Sequence, residues 1–190
     1  MIRTVLKAVR VTVRRINFRL LHFYAGITGV QNRMPSLSDP ASILRMFGAQ
    51  IGEGTIVYPG LVIHAAGKDF SNLRIGKNCR VLRDVFLDLT DVITLEDNTS
   101  IGIRNTFITH VNAAKSPLAG SAISEGSAPI ILKEGAVTYA GVTVLMGVVL
   151  ERCSAVGAGS VVSRSVPEKT LVMGNPARRV KTFELTEGER

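Results

Sequence analysis

Residues 132–167 read LKEGAV TYAGVT VLMGVV LERCSA VGAGSV VSRSVP when they are written in groups of six. The first position is aliphatic in five of the six groups, and the fifth position is always a small or β-branched residue. Neither the helical period near 3.6 residues nor the two-residue alternation of an ordinary strand produces this register. A fixed short period of this kind indicates a repeat architecture.

A six-residue unit suits a short strand followed by a turn, so three units close one triangular coil of a parallel β-helix. Successive coils stack at the spacing of neighbouring strands, about 4.8 Å, and the first residue of each unit points into the prism. A β-sandwich is the alternative, but its strands do not predict six units in unbroken phase. The sequence therefore predicts an all-β domain built as a parallel β-helix.

The same six-residue period occurs earlier in the chain. Its first positions are Ile51, Val57, Ile63, Ile75, Val81 and Leu87, followed after a two-residue shift by Leu95, Ile101 and Phe107. Residues Gly67–Leu73 break the pattern and are expected to form a protruding loop. A longer interruption covers residues 109–131, and a loop of this length in a regular stack is more often functional than accidental.

The first and last six-residue units divide the chain into three parts. Residues 1–48 form a basic helical segment and a linker, and residues 49–167 form the β-helix with an inserted loop at about 109–131. Residues 168–190 form a short C-terminal tail.

Positive charge is concentrated at the N-terminus of this 190-residue chain, whose formal net charge is +8. Seven basic residues and no acidic residue precede Asp39. Four of the basic residues have the spacing of one helical face, namely Arg3, Lys7, Arg10 and Arg14, opposite an apolar face of Ile2, Val5, Leu6, Val9, Val13, Ile16 and Leu20. Such a helix either makes a peripheral contact with anionic lipid or packs on a protein surface with its charged face in solvent. Its charges exclude a membrane-spanning helix.

Several functional classes find no support in the sequence. Nucleic-acid binding would require a recognition helix, a zinc cluster or an aromatic stacking surface, and the sequence has none of these signatures. Two cysteines are too few for a disulfide framework, which favours a cytoplasmic protein with both thiols reduced. A β-helical zinc enzyme needs three histidine ligands, two of them close together in the sequence, whereas His22, His64 and His110 lie far apart in the sequence. We therefore predict no metal site, and we interpret His22 and His64 as structural.

The run Val156–Pro167, followed by Gly174-Asn-Pro-Ala-Arg178, resembles the C-terminal part of the hexapeptide-repeat acyltransferases. The resemblance covers roughly residues 51–181, and is strongest to sugar O-acetyltransferases of the maltose and galactoside type and of polysaccharide and lipopolysaccharide synthesis. It implies a left-handed β-helix, a homotrimer, and acetyl-CoA as co-substrate in the cleft between neighbouring prisms. It also implies transfer of the acetyl group to a hydroxyl of a sugar or saccharide.

The resemblance assigns roles to individual residues. His110, at the start of the long loop, occupies the place of the general base. The residues that correspond to the family's coenzyme contacts are Ala140, Ala158, Ser163, Arg164, Arg178 and Lys181. A carboxylate that orients either the imidazole or the acceptor hydroxyl would complete the site, and we expect Asp88 to contact the acceptor. Backbone N–H groups or Asn112, which we expect to bind substrate, would donate to the oxyanion. The family pattern is altered at Tyr139, which replaces an aromatic residue of relatives or fills a corner, and at Glu151 and Arg152, where a glycine-containing turn is commoner.

Elementary chemistry supports the role assigned to His110. An alcohol is a poor nucleophile at neutral pH, so an imidazole must take its proton as the oxygen attacks a thioester. Two alternatives stay open, an N-acetyltransferase that acts on an amino sugar and a non-catalytic trimeric scaffold. No residue of the chain identifies the acceptor.

Overall fold

The computed structural model of the protein describes residues 2–113, 116 and 125–184. Its helical part consists of α1 (Ile2–Arg33), a 3₁₀ turn (Met34–Ser36) and α2 (Pro40–Met46). Asp39 caps α2, since its Oδ1 accepts a hydrogen bond from the Ser42 backbone N–H at 3.4 Å, and Pro40 occupies the first helical position. No helix among the described residues combines the length and apolar character needed to cross a membrane.

Helix α1 changes direction at Gly26. The backbone of Gly26 has φ 59° and ψ −165°, a conformation that is essentially restricted to glycine. Beyond this point, Ile27 and Val30 are buried against the rest of the protein together with Met34 of the 3₁₀ turn. The end of α1 is therefore part of the core.

The remaining described residues form nineteen short strands. In chain order they are β1 (Gln50–Ile51), β2 (Ile56–Val57), β3 (Val62–His64), β4 (Leu73–Ile75), β5 (Arg80–Val81), β6 (Phe86–Asp88), β7 (Ile93–Leu95), β8 (Ser100–Ile101), β9 (Thr106–Phe107), β10 (His110–Val111), β11 (Gly126–Ser127), β12 (Ile130–Leu132), β13 (Val137–Thr138), β14 (Thr143–Val144), β15 (Val149–Leu150), β16 (Ala155–Val156), β17 (Val161–Val162), β18 (Thr170–Met173) and β19 (Arg178–Thr182).

Three parallel sheets form the faces of a prism. Their strand orders are β1-β4-β7-β12-β15 for face A, β2-β5-β8-β13-β16-β18 for face B and β3-β6-β9-β14-β17 for face C. In the early coils each strand pairs with the third strand after it, because three strands complete one coil. Strand β19 extends face B in antiparallel pairing with β18. The predicted parallel β-helix is confirmed.

The interior of the prism contains the residues that the six-residue period selected. In residues 132–167 the first position of every unit is at most 2% exposed, and so is the fifth. Leu95, Ile101 and Phe107 are at most 1% exposed, which confirms the two-residue shift of phase. Stacking of identical positions thus buries a continuous column of aliphatic side chains, the main source of stability in such a fold.

The expectation of a protruding loop at Gly67–Leu73 is wrong for two residues of that segment. Phe70 and Leu73 are completely buried. The Phe70 backbone N–H donates to the carbonyl of Phe47 at 2.7 Å, and the two aromatic rings meet edge to face with centroids 6.4 Å apart. The segment folds back on the end of α2 because it carries apolar side chains that gain from burial there.

The turn at Glu151 and Arg152 forms without a glycine. Cys153 takes the left-handed conformation, with φ 54°, one coil after Gly135, with φ 69°. The Cys153 backbone N–H donates to the carbonyl of Glu134 at 2.9 Å, which keeps the two turns stacked. The departure from the family pattern at this turn therefore leaves the prism regular.

Candidate active site

The candidate site lies where strands of face C end. Leu87 of β6 pairs with Phe107 of β9, so the residues that follow these two strands lie one coil apart on the same edge of the prism. This register brings Asp88 beside Thr109 and His110. Two residues separated by 22 positions in the chain are thereby placed in direct contact.

Asp88 and His110 form a close pair. The His110 Nδ1 atom lies 2.6 Å from the Asp88 Oδ2 atom, with 30% of the histidine side chain and 1% of the aspartate side chain exposed. An ionised carboxylate only accepts hydrogen bonds, so the Nδ1 atom carries the hydrogen. The lone pair of the neutral imidazole is then on Nε2, which is the arrangement required of a general base.

Two threonines complete the environment of the Asp88 carboxylate. Thr90 donates to Oδ1 from its hydroxyl at 2.7 Å and from its backbone N–H at 3.1 Å. Thr109 donates to Oδ2 from its backbone N–H at 2.9 Å and from its hydroxyl at 3.1 Å. Burial raises the pKa of Asp88, but the hydrogen bonds from Thr90, His110 and Thr109 outweigh burial and lower the pKa to about 2. The carboxylate is therefore ionised at any working pH.

This geometry argues against the expected contact between Asp88 and an acceptor. The side chain is 1% exposed, and both carboxylate oxygens already accept hydrogen bonds from the chain itself. A sugar hydroxyl would have to displace one of these donors from a buried site. The position of Asp88 instead suits a residue that orients His110.

The long interruption begins and ends as a β-hairpin. His110 and Val111 of β10 pair antiparallel with Ser127 and Gly126 of β11. The Ser127 hydroxyl donates to the Asp91 Oδ2 atom at 2.8 Å, which ties the returning strand to the turn after β6. The imidazole opens into a groove lined by Thr90, His110, Val111, Asn112, Glu125, Gly126 and Ser127. Asn112, the expected oxyanion donor, thus lies in the same groove as His110.

His64 lies beside His110, although the sequence indicated only a structural role for it. Its side chain is exposed, and its ring stacks on the ring of His110 with centroids 6.0 Å apart and an interplanar angle of 16°. The other neighbour of His64 is Phe86, also at 6.0 Å. His64 is in register with Asp88, one coil away, so His64 and His110 lie close together in space although they are far apart in the sequence.

His22 behaves as interpreted, since its ring packs against Phe47 with centroids 5.0 Å apart. Among the described residues, no group of three or more His, Cys, Asp or Glu side chains is arranged to hold a metal ion.

The sequence pattern did not indicate four residues of the site, namely Thr90, Asp91, Thr109 and Ser127. A signal for part of this set existed, because Leu87 and Phe107 both hold first positions of the six-residue period. Aligning these two residues would have placed Asp88 and Thr109 on neighbouring coils. The hydrogen bonds from Thr90 and Ser127 depend on the path of two turns, which the period does not describe.

The structure divides the expected coenzyme contacts into three places. Ser163, Arg164 and Arg178 line one surface groove, which also includes Arg179, a residue that the sequence analysis did not select. Ala140 and Ala158 lie exposed at the corner between faces B and C, stacked one coil apart through the hydrogen bond from the Gly159 backbone N–H to the Ala140 carbonyl. The Lys181 ammonium lies over the ring of Phe183, 5.4 Å from its centroid.

Tyr139, next to this corner, does not fill it. The side chain of Tyr139 is 56% exposed. Its carbonyl accepts a hydrogen bond from the buried Asn105 side chain at 2.8 Å. An aromatic surface therefore stands beside Ala140.

Two proteins of similar sequence are both assigned as acetyltransferases. The chain is 31% identical over 125 residues to a Schizosaccharomyces pombe protein assigned as an acetyltransferase, an alignment that covers 66% of this chain and 55% of the relative. The chain thus spans about half the length of this relative. It is 29% identical over 149 residues to the Escherichia coli protein WcaF, assigned as an acetyltransferase of colanic acid biosynthesis, covering 77% and 76% of the two chains. No family model matches the chain.

A solved structure has the same architecture as this chain. The hexapeptide-repeat acetyltransferase VCA0836 of Vibrio cholerae, in complex with acetyl coenzyme A, superposes with a TM-score of 0.70 at 25% identity, over 88% of this chain and 90% of that one. These likenesses in sequence and fold support a place for the chain among the hexapeptide-repeat acyltransferases. The resemblance seen at Val156–Pro167 is confirmed.

Solved structures with the same fold include acetyltransferases named for oxygen and for nitrogen acceptors. A maltose O-acetyltransferase of Clostridium difficile has a TM-score of 0.57 at 24% identity, over 77% of this chain and 75% of that one. A variant of a perosamine N-acetyltransferase of Caulobacter crescentus, in complex with CoA and GDP-perosamine, has a TM-score of 0.52 at 22% identity, over 70% and 51%. The acyltransferase fold is therefore common to both kinds of acceptor.

Proposed function

We propose that the protein transfers an acetyl group from acetyl-CoA to a hydroxyl of a sugar or saccharide, with His110 as the general base. The proposal rests on the contact between His110 and the buried, ionised Asp88. The contact lies beside the groove that β10 and β11 line, which we call the hairpin groove. The acetyl-CoA bound to the Vibrio cholerae relative supports the choice of co-substrate.

The pair suggests a simple sequence of bond changes. The Nε2 atom of His110 takes the hydroxyl proton as the acceptor oxygen attacks the thioester carbonyl carbon, which gives a tetrahedral oxyanion. Collapse of this intermediate re-forms the carbonyl and breaks the carbon–sulfur bond, and the imidazolium returns the proton to the departing thiolate. Asp88 fixes the tautomer of His110 and stabilises the positive charge that the ring carries between the two steps.

We propose Asn112 as a donor to the oxyanion. It follows Val111 of β10 and lines the groove beside His110, so it is close to the place where the negative charge develops. A donor that is already aimed at this position stabilises the transition state more than the ground state. Backbone N–H groups of the groove are the other candidates for this role.

The coenzyme is proposed to extend from His110 toward the C-terminal coils. Phe107, Val144 and Val162 are in register on face C, so Ser163 lies two coils beyond Ile108, at roughly 10 Å along the prism. Arg164, Arg178 and Arg179 in the groove there suit the phosphates, because guanidinium groups bind phosphate oxygens in pairs. Ala140 and Ala158 would offer backbone groups to the pantetheine arm, and Lys181 suits the adenine end.

We propose a homotrimer whose neighbouring prisms close these sites. Both the groove at His110 and the groove at Arg164 are open surfaces of one chain, and a thioester reaction needs shelter from water. Sedimentation equilibrium measures the subunit number directly. A monomer that retains full activity would contradict this part of the proposal.

The acceptor approaches from the opposite end of face C, where His64 lies. We propose that it is a saccharide of cell-surface polysaccharide or lipopolysaccharide synthesis, carried on lipid at the cytoplasmic face of the membrane. The likeness to WcaF supports the class of acceptor, and the basic N-terminal segment supports the place.

Transfer to the nitrogen of an amino sugar is the second candidate, and the likeness to the perosamine enzyme favours it. An amine that reaches the site uncharged needs a base less than a hydroxyl does. Acceptors can be screened by detecting the free thiol of released CoA, and the product then treated with mild alkali. An ester is cleaved by this treatment and an amide survives it, so survival of the acetylated product would replace O-transfer by N-transfer.

The replacement His110→Ala tests the catalytic role. We expect kcat to fall by about 10² to 10⁴ with coenzyme binding and subunit number unchanged. His22→Ala is the matched control, since His22 packs on Phe47 away from the groove. Full activity of the His110 variant would remove His110 as the base, and absence of CoA release with every saccharide acceptor would favour the non-catalytic scaffold.

A further inference from the structure

Helix α1 presents a stripe of apolar side chains to solvent. Val9, Val13, Ile16 and Leu20 are each between 50% and 53% exposed, and Phe23 and Tyr24 are 79% and 80% exposed. Steps of four and three residues place the members from Val9 to Phe23 on one side of the helix. We call these six residues the outer stripe of α1. Exposed apolar surface of this extent on one element marks an interaction site.

The opposite side of α1 faces the protein. Phe18 is 8% exposed, and it lies about 160° around the helix axis from both Ile16 and Leu20. On the same inner side, Arg14 donates to Asp39 at 3.2 Å and to Ser42 at 2.9 Å. Packing of the outer stripe on the helix's own domain, with Arg14 in solvent, is therefore wrong, and packing of the stripe on a neighbouring subunit stays the other alternative from the sequence.

Basic side chains flank the outer stripe. Arg15 and Arg19 are exposed, and they line an open groove with Arg45 at the junction of α1 and α2. Within the part of the chain that the structure describes, neither Arg15 nor Arg19 forms an ion pair or a side-chain hydrogen bond. No acidic residue precedes Asp39 in the sequence. The surface around the stripe is consequently positive.

We infer that the outer stripe is a lipid-binding surface that docks α1 on an anionic membrane. The inference deepens the membrane location in the proposed function and rests on it. The helix lies in the plane of the interface with Ile16, Leu20 and Phe23 below the headgroups, and Arg15 and Arg19 bind lipid phosphates at the edge. Phe23 and Tyr24, whose rings meet edge to face at 5.1 Å, stand at the boundary that aromatic side chains prefer.

Charge complementarity favours lipid over a second copy of the chain. A second α1 would bring the same arginines, without carboxylates to pair with them, into a stripe-to-stripe contact. An anionic bilayer accepts both the apolar side chains and the positive flank, which is the pattern of helices that lie in membrane interfaces. With α1 held in this way, the inner side and the prism stay in water.

The inference is tested by sedimentation of the full-length protein with vesicles of phosphatidylcholine, alone or mixed with phosphatidylglycerol. The wild type is expected to bind the mixed vesicles and to lose binding as salt is added. The double replacement of Ile16 and Leu20 by Ser should weaken this binding by about tenfold or more, since it removes two inserted side chains. The double replacement of Arg15 and Arg19 by Gln should weaken it by a similar factor and flatten the salt dependence.

Matched controls lie on the prism. Ile56→Ser removes another exposed apolar side chain, and Arg83→Gln removes another exposed charge, so both should bind as the wild type does. Thermal unfolding of every variant checks that the fold is kept, which is expected because the replaced side chains are exposed.

Each experimental result supports or overturns a specific part of the inference. Wild-type binding with no loss in the stripe variant overturns the inference while leaving the membrane location standing. Equal binding to both kinds of vesicle overturns the role of the arginines, and no binding overturns the inference and the location together. A change of subunit number in the stripe variant would assign the stripe to a second copy. Activity on a soluble acceptor tests the proposed chemistry separately, and the stripe variants should retain it.

Discussion

The Nδ1 atom of His110 lies 2.6 Å from the Oδ2 atom of an aspartate, Asp88, that is 1% exposed and 22 residues earlier in the chain. The contact exists because one coil of the prism separates the two residues. It leaves Nε2 of His110 as the basic atom, and the residue lines the hairpin groove. The contact leads to two predictions about Asp88.

Replacing Asp88 by Asn should reduce kcat by about 10² to 10⁴ while the KM for acetyl-CoA changes little. An amide that offers its NH₂ group to Nδ1 favours the wrong tautomer, and it cannot stabilise the imidazolium. Steady-state kinetics with a saturating acceptor measure both constants. Asp84→Asn, in a turn of the prism away from the groove, is the control, and equal loss in both variants would indicate a general structural effect.

Asp88 should also make stability depend on pH in acid. The carboxyl pKa is about 2 in the folded chain, below the value of 3.8 taken for an unperturbed aspartate, so folding favours the ionised form. Its contribution, on the order of 2 kcal/mol, is therefore fully present above about pH 4 and is lost as pH falls toward 2. Urea unfolding of the wild type and the Asn variant, compared across this range, should show a difference in unfolding free energy that shrinks in acid. A difference that stays constant from pH 6 to pH 3, within the usual error of about 10–15%, would contradict the assignment.

His64→Ala should raise the KM for the acceptor by roughly tenfold and leave the KM for acetyl-CoA unchanged, since about one hydrogen bond is lost. His64 stacks on the ring of His110, on the side away from the coils that carry Arg164 and Arg178. An acceptor that reaches His110 from that side must pass His64. The control is His22→Ala. Equal changes in the two KM values would place His64 in a structural role.

Replacing Arg164 and Arg178 by Ala, singly, should raise the KM for acetyl-CoA by about tenfold each, with kcat nearly retained. Each residue lines the groove two coils beyond Ile108, remote from the reacting carbonyl. Dephospho-CoA, which lacks one phosphate, separates the two roles. If an arginine binds the phosphate that dephospho-CoA lacks, its replacement should not raise the KM for this analogue. If both replacements raise the KM for dephospho-CoA by the full factor, neither arginine binds that phosphate.

Much of the fold was predictable because its physical determinants are local and repeated. Leu132, Val144 and Val156 occupy inward positions of a pattern that recurs every six residues. The inward side chains of each coil pack on those of the coil before it. The same period, followed across the two-residue shift, placed Leu95 and Phe107 correctly. The segment around Phe70 was mispredicted because its burial depends on a contact with Phe47 that no period describes.

The candidate site was predictable in part. His110 stood out at the start of a long interruption, and the arginines stood out in a motif near the C-terminus. The roles of Asp88 and His64 depended on the register between coils, which insertions alter. Thr90 and Ser127 contribute through turns whose paths follow from several hydrogen bonds acting together.

The sequence by itself indicated that the six-residue repeats wind into a prism and that α1 has an apolar and a basic side. Both are periodic patterns, and a period is visible without knowledge of any distant contact. Only the tertiary structure decided that Asp88 binds His110 and that the apolar side of α1 points away from the protein. Those outcomes depend on which surfaces meet in the folded chain. Burial of Phe18, Ile27 and Val30 against the core holds α1 in place and leaves the outer stripe facing solvent.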